Sequence, residues 1–310
     1  MIHGKTVLIT GGAGFVGSHL ADALVEQNDV YVLDNFSTGK RSNLPNEVTV
    51  IDDDIRNANA FDQCPPADII FHEAALVSVP QSIEEPERSN AVNVTGTINA
   101  LEYARDVDAR IVLASSTAIY GDAEEIPTPE SESKKPSSPY GIDKMCLDHH
   151  ARVYSNLYDV EAVPLRYFNI YGPRQTAGDY SGVISIFLKQ ALNNEPITVH
   201  GDGSQTRDFV HIDDVVQANL KAATTEHVGE AYNVGTGSEV SIRELAETIR
   251  DVTDSDSEIV HTEGRTGDID RSLADLSKAR TGLGYEPTLS LEEGLKALVE
   301  HKHEELAPVQ

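Results

Sequence analysis

The feature that most constrains this chain is a short apolar segment that runs directly into three spaced glycines and then into an amphipathic segment. Residues 6–9, Thr-Val-Leu-Ile, precede Gly11, Gly14 and Gly17, and the amphipathic segment continues to about Gln27. β-Branched and apolar residues favour a buried strand, and glycines directly after it permit a tight turn into a helix. This stretch is therefore predicted to form a strand, a glycine-rich turn and a helix.

Strand and helix patterns then alternate over roughly the first half of the sequence. The further predicted strands are 30–33, 48–51, 68–71 and 110–113, and a helix is predicted from about Ser89 to Arg105. Such alternation predicts an α/β fold of the Rossmann type, which is a doubly wound parallel sheet covered by helices on both faces.

The glycine spacing, G-x-x-G-x-x-G, suits the pyrophosphate of a dinucleotide as well as a simple tight turn. One glycine makes the turn, another lets the backbone approach the phosphates, and the third packs the helix on the strand. The helix N-terminus adds free N–H groups and a partial positive charge. Asp34 ends the second strand, 17 residues after Gly17, where a carboxylate can accept hydrogen bonds from the adenosine ribose. Because that carboxylate would repel a 2′-phosphate, the predicted cofactor is NAD and not NADP.

The alternating pattern weakens after about Arg166, where loops rich in Gly and Pro separate shorter elements. We therefore predict an NAD-binding Rossmann domain over residues 1–168 and a smaller C-terminal α/β substrate domain over residues 169–310. Some later segments are expected to pack back on the first domain.

The charge of the chain excludes several classes of partner. The sequence has 51 acidic and 24 basic residues, a formal net charge of −27. Such a charge disfavours nucleic acids and anionic membranes as partners. Disorder is also disfavoured, because the apolar pattern is regular and the acidic residues are scattered. We interpret the acidic surface as adaptation to high salt, where screening removes the self-repulsion.

Cysteine usage and apolar runs point to the cytoplasm. Cys64 and Cys146 have no metal-ligand spacing and form no C-x-x-C pair, so no metal site is predicted. No apolar stretch approaches the ~18–20 residues of a membrane span. Residues 1–5 lack the charged start and apolar stretch of a signal peptide.

A tyrosine and a lysine lie four residues apart at the start of another predicted helix, which runs from Tyr140 to Tyr158. Tyr140 and Lys144 therefore project from one helix face. A phenol with an ordinary pKa of about 10 is a poor base at neutral pH, and lowering that pKa to near 7 requires roughly 4 kcal/mol. A neighbouring ammonium, together with a positively charged nicotinamide, has the right sign to lower it. Alone, such a pair is more often an ordinary surface pair.

This pair belongs to a set of motifs that follow one another along the chain in the order in which a known family carries them. The other members are Gly11 to Gly17, Asp34, His72-Glu73-Ala74-Ala75 and Ser115-Ser116. The set resembles the extended short-chain dehydrogenase/reductase superfamily, in its nucleotide-sugar epimerase/dehydratase branch. The resemblance runs from Thr6 to about Leu283. It implies a homodimer formed by two helices per subunit, for which Ser89–Arg105 and Tyr140–Tyr158 are the candidates.

The same resemblance implies roles for individual residues around the cofactor. The catalytic group is implied to be Ser116, Tyr140 and Lys144, with Ser116 bonding both the sugar hydroxyl and Tyr140. Asp54-Ile55 resembles the pair that contacts adenine, and Asn35 to Gly39 resembles the loop around the adenosine ribose and phosphates. The implied cofactor-binding residues are Gly11, Gly14, Phe15, Val16, Gly17, Asp34, Asn35, Phe36, Ser37, Thr38, Gly39, Asp54, Ile55, Ala74, Ala75, Asn93, Tyr140, Lys144 and Phe168.

The second region resembles the nucleotide-sugar domain of the family. Asn169, Arg207 and Arg265 match residues that hold the diphosphate, and Asp268 matches a residue suited to the uridine ribose. Ordinary ion pairs with the many acidic residues are the alternative for both arginines. The full set of implied substrate residues is Ser78, Ser116, Asn169, Val183, His200, Arg207, Arg265, Asp268 and Ser272.

The branch divides by reaction at the strand-end motif. Dehydratases and decarboxylases of nucleotide sugars resemble patterns with a Glu there, whereas this chain has Ser116-Thr117-Ala118. Alanine at 118 supplies no carboxyl for elimination, so the resemblance favours a UDP-sugar 4-epimerase that acts through a 4-keto intermediate.

The identity of the sugar and two other functions stay open at this stage. In epimerases that resemble this chain, a bulky residue at the position of Ser272 excludes N-acetyl groups. The small Ser272 therefore predicts that UDP-GlcNAc is accepted alongside UDP-glucose and UDP-galactose. The alternatives are a UDP-glucuronate 4-epimerase, another reductase or dehydratase of nucleotide sugars, and a redox-sensing regulator that performs no catalysis. The regulator is disfavoured because Tyr140 and Lys144 are both present.

Overall fold

The computed structural model describes residues 2–175, 182–264 and 269–306. Seven of the described strands form one parallel sheet in the order β11-β6-β5-β4-β1-β2-β3. The strands are β1 Thr6–Thr10, β2 Asp29–Asp34, β3 Thr49–Asp52, β4 Ile69–His72, β5 Arg110–Ser116, β6 Ala162–Tyr167 and β11 Tyr232–Val234. The order reverses between β1 and β4, as in doubly wound Rossmann folds. The predicted fold class is therefore confirmed.

Helices cover both faces of this sheet. They are α1 Phe15–Leu24, α2 Val79–Glu84, α3 Pro86–Asn90, α4 Gly96–Val107, α5 Pro139–Tyr158, α7 Ile212–Ala222 and α9 Ser277–Leu283. A π-helical turn, Ala91–Thr95, joins α3 to α4, so the predicted helix at about 89–105 is one continuous helical run. The predicted helix from Tyr140 to Tyr158 is α5.

Alternation within each strand sends side chains into two separate cores. In β1, Val7 and Ile9 belong to the core under α1, α7 and α9, whereas Leu8 belongs to the core under α4 and α5. Parallel strands buried on both faces carry nearly continuous apolar runs, which is why the sequence pattern located them.

A third core lies entirely within the later part of the chain, between Tyr171 and Val299. Its elements are short: β7 Asn169–Tyr171, α6 Val183–Leu192, β8 Ile197–His200, β9 Thr206–Arg207, β10 Phe209–His211, β12 Val240–Ser241, α8 Ile242–Val252, β13 Ile259–Thr262 and α10 Leu291–Leu306. Strand β11 and helices α7 and α9 pack instead with the first sheet. The domain boundary at 168/169 stays a prediction.

In the described part of the chain, no helix is both long and apolar enough to cross a membrane. The same residues contain no group of three or more His, Cys, Asp or Glu side chains placed to hold a metal ion.

The turn after β1 depends on one very close backbone contact. Gly11 has a φ of +67°, and a Cβ there would lie 2.6 Å from the Cα and the N of Ala74. The first glycine of the loop is thus required both by its left-handed conformation and by its packing against the chain that leaves β4. Gly4 has nearly the same φ, +64°, but a Cβ there would have nothing within 4 Å.

These two glycines separate the cost of conformation from the cost of packing. We expect Gly4→Ala to lower the free energy of unfolding by about 1 kcal/mol, the cost of a left-handed alanine. Gly11→Ala should cost a further 1–3 kcal/mol, roughly, because the methyl group overpacks against Ala74. Urea denaturation of both variants measures the difference, and equal losses would contradict the packing argument.

Candidate active site

The carboxyl ends of β1, β2, β4 and β5 meet at one edge of the sheet, on either side of the point where the strand order reverses. In open α/β sheets this crevice is where ligands bind. The loops that follow these four strands carry most of the residues that the sequence predicted to bind the cofactor or to catalyse.

The glycine loop forms a cradle suited to a pyrophosphate. Gly14 is the N-cap of α1, so the N–H groups of Phe15, Val16 and Gly17 are in the first helical turn and have no partner within the helix. A Cβ at Gly17 would lie 2.4 Å from the carbonyl oxygen of Gly11, so the loop closes on itself without side chains. No acidic residue occupies this first turn. The residues present therefore fit the diphosphate of NAD.

Asp34 joins β2 to the glycine loop. Its carboxylate is 8% exposed, Oδ2 accepts the N–H of Ala13 at 2.8 Å, and Oδ1 accepts the N–H of Phe36 at 2.8 Å. Burial raises the pKa of Asp34, and these two hydrogen bonds oppose that rise. Each carboxylate oxygen can accept a second hydrogen bond. The predicted ribose acceptor therefore also positions the loop, a role that the sequence did not reveal.

The segment from Asn35 to Gly39 lies against the same loop. A Cβ at Gly39 would meet the backbone of Ala13 at 2.6 Å, which seats this segment on the turn after β1. Asn35 Nδ2 donates to Asp54 Oδ2 at 2.7 Å, so the structure brings the predicted adenosine loop and the predicted adenine pair together. Hydrogen bonds from Arg56 hold the pKa of Asp54 at about 2. Ser37 and Thr38 are exposed in this segment, whereas Ile55 is buried in the core.

Asn93 supports the chain that leaves β4. It is buried, its Oδ1 accepts the N–H of Leu76 at 2.8 Å, and its Nδ2 donates to the Leu76 carbonyl at 3.0 Å. Ala74 and Ala75, just before Leu76, are partly exposed at the sheet edge. The side chain of Asn93 thus shapes the loop, and its contact with the cofactor stays a prediction.

The predicted catalytic residues converge from the end of β5 and the start of α5. Ser138 caps α5 by accepting the N–H of Gly141 at 3.1 Å, and Pro139 is the first helical residue. Tyr140 follows, and the hydroxyl of Ser116, the last residue of β5, is near enough to its phenol to favour the ionised form. Lys144, one turn later, is 2% exposed.

The Lys144 ammonium is bonded to the backbone of β5 and lies over the face of the Tyr140 ring. Its Nζ donates to the Ala114 carbonyl at 2.6 Å and lies 5.9 Å from the centre of the Tyr140 ring. Burial lowers the pKa of Lys144 to about 8, and the carboxyl groups of Glu73 and Asp143 oppose that lowering.

The pKa of Tyr140 differs from the sequence-based expectation. Burial raises it, and the hydrogen bond from Ser116 only partly offsets the rise. The lowering expected from Lys144 is not present among the protein's own groups, since Lys144 is not among the groups that act on this phenol and its ammonium is bonded to Ala114. The predicted phenolate therefore requires an additional positive charge in the occupied site.

Three of the predicted substrate residues are joined by backbone pairing in the second region. The N–H of Asn169 donates to the Asp208 carbonyl at 3.0 Å, next to Arg207, and the N–H of Ser272 donates to the Thr206 carbonyl at 3.2 Å. Ser272 is 4% exposed. Asn169, Arg207 and Ser272 are therefore neighbours.

The remaining predicted residues are spread over several elements. Ser78 caps α2, Val183 begins α6, and His200 ends β8. Phe168 is buried, and its N–H donates to the Val234 carbonyl at 2.9 Å. Arg265 and Asp268 lie outside the described residues.

Sequence reasoning missed two groups of side chains near the catalytic residues. Glu73, quoted only as part of a motif, accepts the Tyr167 hydroxyl at 3.0 Å and faces Lys144 electrostatically. Asp148 forms a buried ion pair with Arg166 at 2.7 Å. Asp148 could have been found from its spacing, because it follows Tyr140 and Lys144 on α5 at the same four-residue interval.

Known proteins resemble this chain in sequence and in fold over almost its whole length. A model of the NAD dependent epimerase/dehydratase family matches residues 7–235. UDP-glucose 4-epimerase of Mycolicibacterium smegmatis is 36% identical over 306 residues, which cover 94% of this chain and 97% of that relative.

Two solved structures are similarly close. The crystal structure of UDP-glucose 4-epimerase from Thermotoga maritima with UDP-glucose has a TM-score of 0.94 at 37% identity, over 97% of this chain and 100% of that chain. UDP-N-acetylglucosamine 4-epimerase from Methanobrevibacter ruminantium in complex with UDP-N-acetylmuramic acid has a TM-score of 0.95 at 35% identity, over 98% and 100%. The chain thus belongs to the NAD dependent epimerase/dehydratase family, which confirms the predicted family and the predicted cofactor, NAD.

Proposed function

We propose that this protein is an NAD-dependent 4-epimerase of UDP-sugars. The observation that carries the proposal is that Tyr140 and Ser116 meet beside the glycine cradle, where the Ser116 hydroxyl favours the phenolate, in a strand-end motif whose third residue is Ala118. This arrangement supplies a base for a sugar hydroxyl and no carboxyl at 118 for elimination. The 4-epimerases among its relatives and neighbours support the same reaction.

Side chains of the protein itself carry out the proton transfers. Bound NAD supplies the acceptor, and then the donor, of the hydride at the sugar C4. Tyr140 takes the proton of the 4-hydroxyl while Ser116 bridges the two oxygens, and it later returns that proton. Lys144 keeps a positive charge close to Tyr140 and orients the nicotinamide ribose. The sugar passes through a 4-keto form between the two steps.

Inversion requires that the keto sugar presents its other face while the nucleotide stays bound. Arg207 in β9 and Arg265 are the predicted diphosphate ligands, and Asn169 lies next to Arg207 through its bond with Asp208. Holding the substrate at the diphosphate leaves the sugar free to rotate. One set of catalytic side chains then serves both stereoisomers.

The sugar range that we propose includes N-acetylated UDP-sugars. Ser272 is small, buried and adjacent to the strand that carries Arg207. We propose that a larger side chain at this position would take up the space that the N-acetyl group needs. UDP-glucose, UDP-galactose and the corresponding N-acetyl compounds are therefore the proposed substrates.

We also propose that the protein is a homodimer adapted to high salt and located in the cytoplasm. Leu157 is 67% exposed and Val153 is 45% exposed on α5, and Ile83 on α2 is 62% exposed. Val153 and Leu157 lie four residues apart on one face of α5, a helix predicted for the interface, so a second copy can cover them together. Two chains of charge −27 repel each other unless salt screens them.

The reaction is tested by following each sugar separately by proton NMR in molar KCl with NAD⁺. We expect UDP-glucose and UDP-GlcNAc to give their C4-inverted isomers without net NADH. Tyr140→Phe should lower kcat by roughly 10²–10⁴-fold, because it removes the base. Tyr158→Phe makes the same change on the exposed end of α5 and should leave kcat unchanged. Net NADH, or a product that has lost water or CO₂, would contradict the proposal.

Ser272→Tyr tests the sugar range. We expect it to lower kcat/KM for UDP-GlcNAc by roughly tenfold or more and to affect UDP-glucose far less, since only the N-acetyl group needs the space. Ser272→Ala is the matched control and should retain both activities. Undiminished turnover of UDP-GlcNAc by Ser272→Tyr would refute the role assigned to this position.

Sedimentation velocity at two salt concentrations tests the dimer. The screening length falls from about 10 Å at 0.1 M to about 3 Å at 1 M salt, so we expect more dimer in molar KCl. Leu157→Asp should shift the equilibrium to monomer at both concentrations. Thr281→Asp adds the same charge on α9, on the opposite face of the sheet, and should not. A wild-type protein that is monomeric in molar KCl would overturn the dimer.

A further inference from the structure

A partly buried acidic side chain lies at the centre of the sheet edge and has no role in the reaction described above. Glu73 directly follows β4, and its N–H donates to the Thr10 carbonyl at the end of β1. It is therefore at the point where the strand order reverses, between the glycine loop and the catalytic residues. Its Oε1 accepts the hydroxyl of Tyr167 at 3.0 Å.

The hydrogen bonds around Tyr167 specify the direction of that contact. Asn219 on α7 donates through Nδ2 to the Val215 carbonyl at 2.9 Å and to the Tyr167 oxygen at 2.9 Å. The amide thus uses both of its protons, and the Tyr167 hydroxyl proton has two acceptors within reach, Glu73 Oε1 at 3.0 Å and Asn219 Oδ1 at 3.1 Å. An ionised carboxylate is the better acceptor of that proton. The Asn219–Tyr167 pair accordingly favours a charged Glu73.

Lys144 is the cation next to Glu73, because its Nζ donates to the Ala114 carbonyl and the pairing of His72 with Leu113 places Glu73 beside Ala114. The described groups that act on the Lys144 charge are Glu73 after β4, Asp143 on α5 and His72 in β4. Asp143 already accepts the Ser89 hydroxyl at 2.6 Å and Asn90 Nδ2 at 3.1 Å. His72 stays neutral, because burial holds its pKa at about 3.

Few titratable groups face Glu73 as well. The groups that face it are Tyr167 from β6 and Lys144 from α5, and Tyr167 carries no charge, since burial raises its pKa well above the usual value. Burial raises the pKa of Glu73 itself to about 7, while Lys144 and the Tyr167 hydroxyl oppose that rise. Each of the two charges is thus the main opposite charge of the other.

We propose that Glu73 is a positioning residue for the reaction: its carboxylate, held by Tyr167, balances the buried Lys144 ammonium and keeps it protonated while Tyr140 exchanges its proton. This role rests on the proposed function for its effect on turnover, but the coupling of the two charges does not. Tyr167 pairs with Ser116 in the sheet register, so the residue that holds Glu73 is directly beside the catalytic strand end.

The sign of the effect on pH dependence follows from the charges. A negative Glu73 raises the pKa of Lys144, so removing that charge lets the ammonium lose its proton at lower pH. In Glu73→Gln we therefore expect the alkaline limb of the kcat profile, near pH 8 in the wild type, to move down by roughly half a pH unit or more. The glutamine retains the shape and the hydrogen bond with Tyr167, so a merely structural role would leave this limb in place.

Glu102→Gln is the matched control for the kinetic experiment. Glu102 also accepts a tyrosine hydroxyl, that of Tyr154 at 2.5 Å, and it is not among the groups that act on Lys144. Its removal should leave the alkaline limb unchanged. An equal displacement in both variants would overturn the assignment to Glu73.

A second measurement does not depend on epimerase activity. The protonated carboxyl of Glu73 can be followed by infrared spectroscopy as the difference between wild type and Glu73→Gln over a pH titration. Because coupling between two sites is reciprocal, Lys144→Met should raise the midpoint of Glu73 by roughly half a pH unit or more. An unchanged midpoint would overturn the proposal even if the enzyme is active, whereas a raised midpoint in a protein without epimerase activity would sustain the coupling and refute only the proposed reaction.

Discussion

The close approach of Gly11 to Ala74 is the contact on which the rest of the site depends. The turn after β1 and the chain leaving β4 come within van der Waals distance because neither presents a bulky side chain there. Since β1 and β4 are neighbours with helices on opposite faces, this contact closes the floor of the crevice. The glycine cradle on one side and the catalytic strand end on the other are therefore held in fixed relation.

Charge is arranged very differently outside and inside this protein. The surface carries the large acidic excess, whereas the described interior holds a few charges that are individually compensated. Arg166 and Asp148 are 1% and 2% exposed, and the guanidinium also bonds the Tyr120 hydroxyl and the Glu130 carbonyl. A buried pair with all its donors satisfied costs little, while loss of one partner leaves an uncompensated charge. High salt acts on the surface charges and hardly on these, because only exposed charges are screened.

The sequence predicted the first part of the fold well and the later part poorly, for physical reasons. Strands β1 to β5 are continuous apolar runs, and their predicted bounds agree with the structure to within three residues. Strand β6 was not identified, because it contains Pro164 and the charged Arg166, which ordinarily argue against a central strand. Strand β11 has three residues, too few to show a period, yet it joins the same sheet.

For the candidate site, too, the sequence predicted which residues take part but not the surroundings of each side chain. Residue types and spacing identified Tyr140, Lys144 and the glycine loop. They could not give the direction of the Lys144 ammonium, which depends on the Ala114 carbonyl, or the double role of Asp34, which depends on where the Ala13 and Phe36 N–H groups point. Such properties arise from burial and from backbone geometry, and both are consequences of tertiary packing.

The opposing effects on Tyr140 explain why an acidic side chain is compatible with a site that must form a phenolate. A carboxylate near the phenol disfavours its ionisation, so Glu73 has a direct cost. Lys144 is not among the main groups that act on Tyr140 in the protein alone, but burial brings its own pKa to about 8, and a neutral lysine would contribute no charge to the occupied site. Glu73 acts on the buried Lys144, whereas it is not among the main groups that act on Tyr140. Glu73 therefore acts on the cation and not chiefly on the phenol, which is why an acidic side chain is compatible with this site.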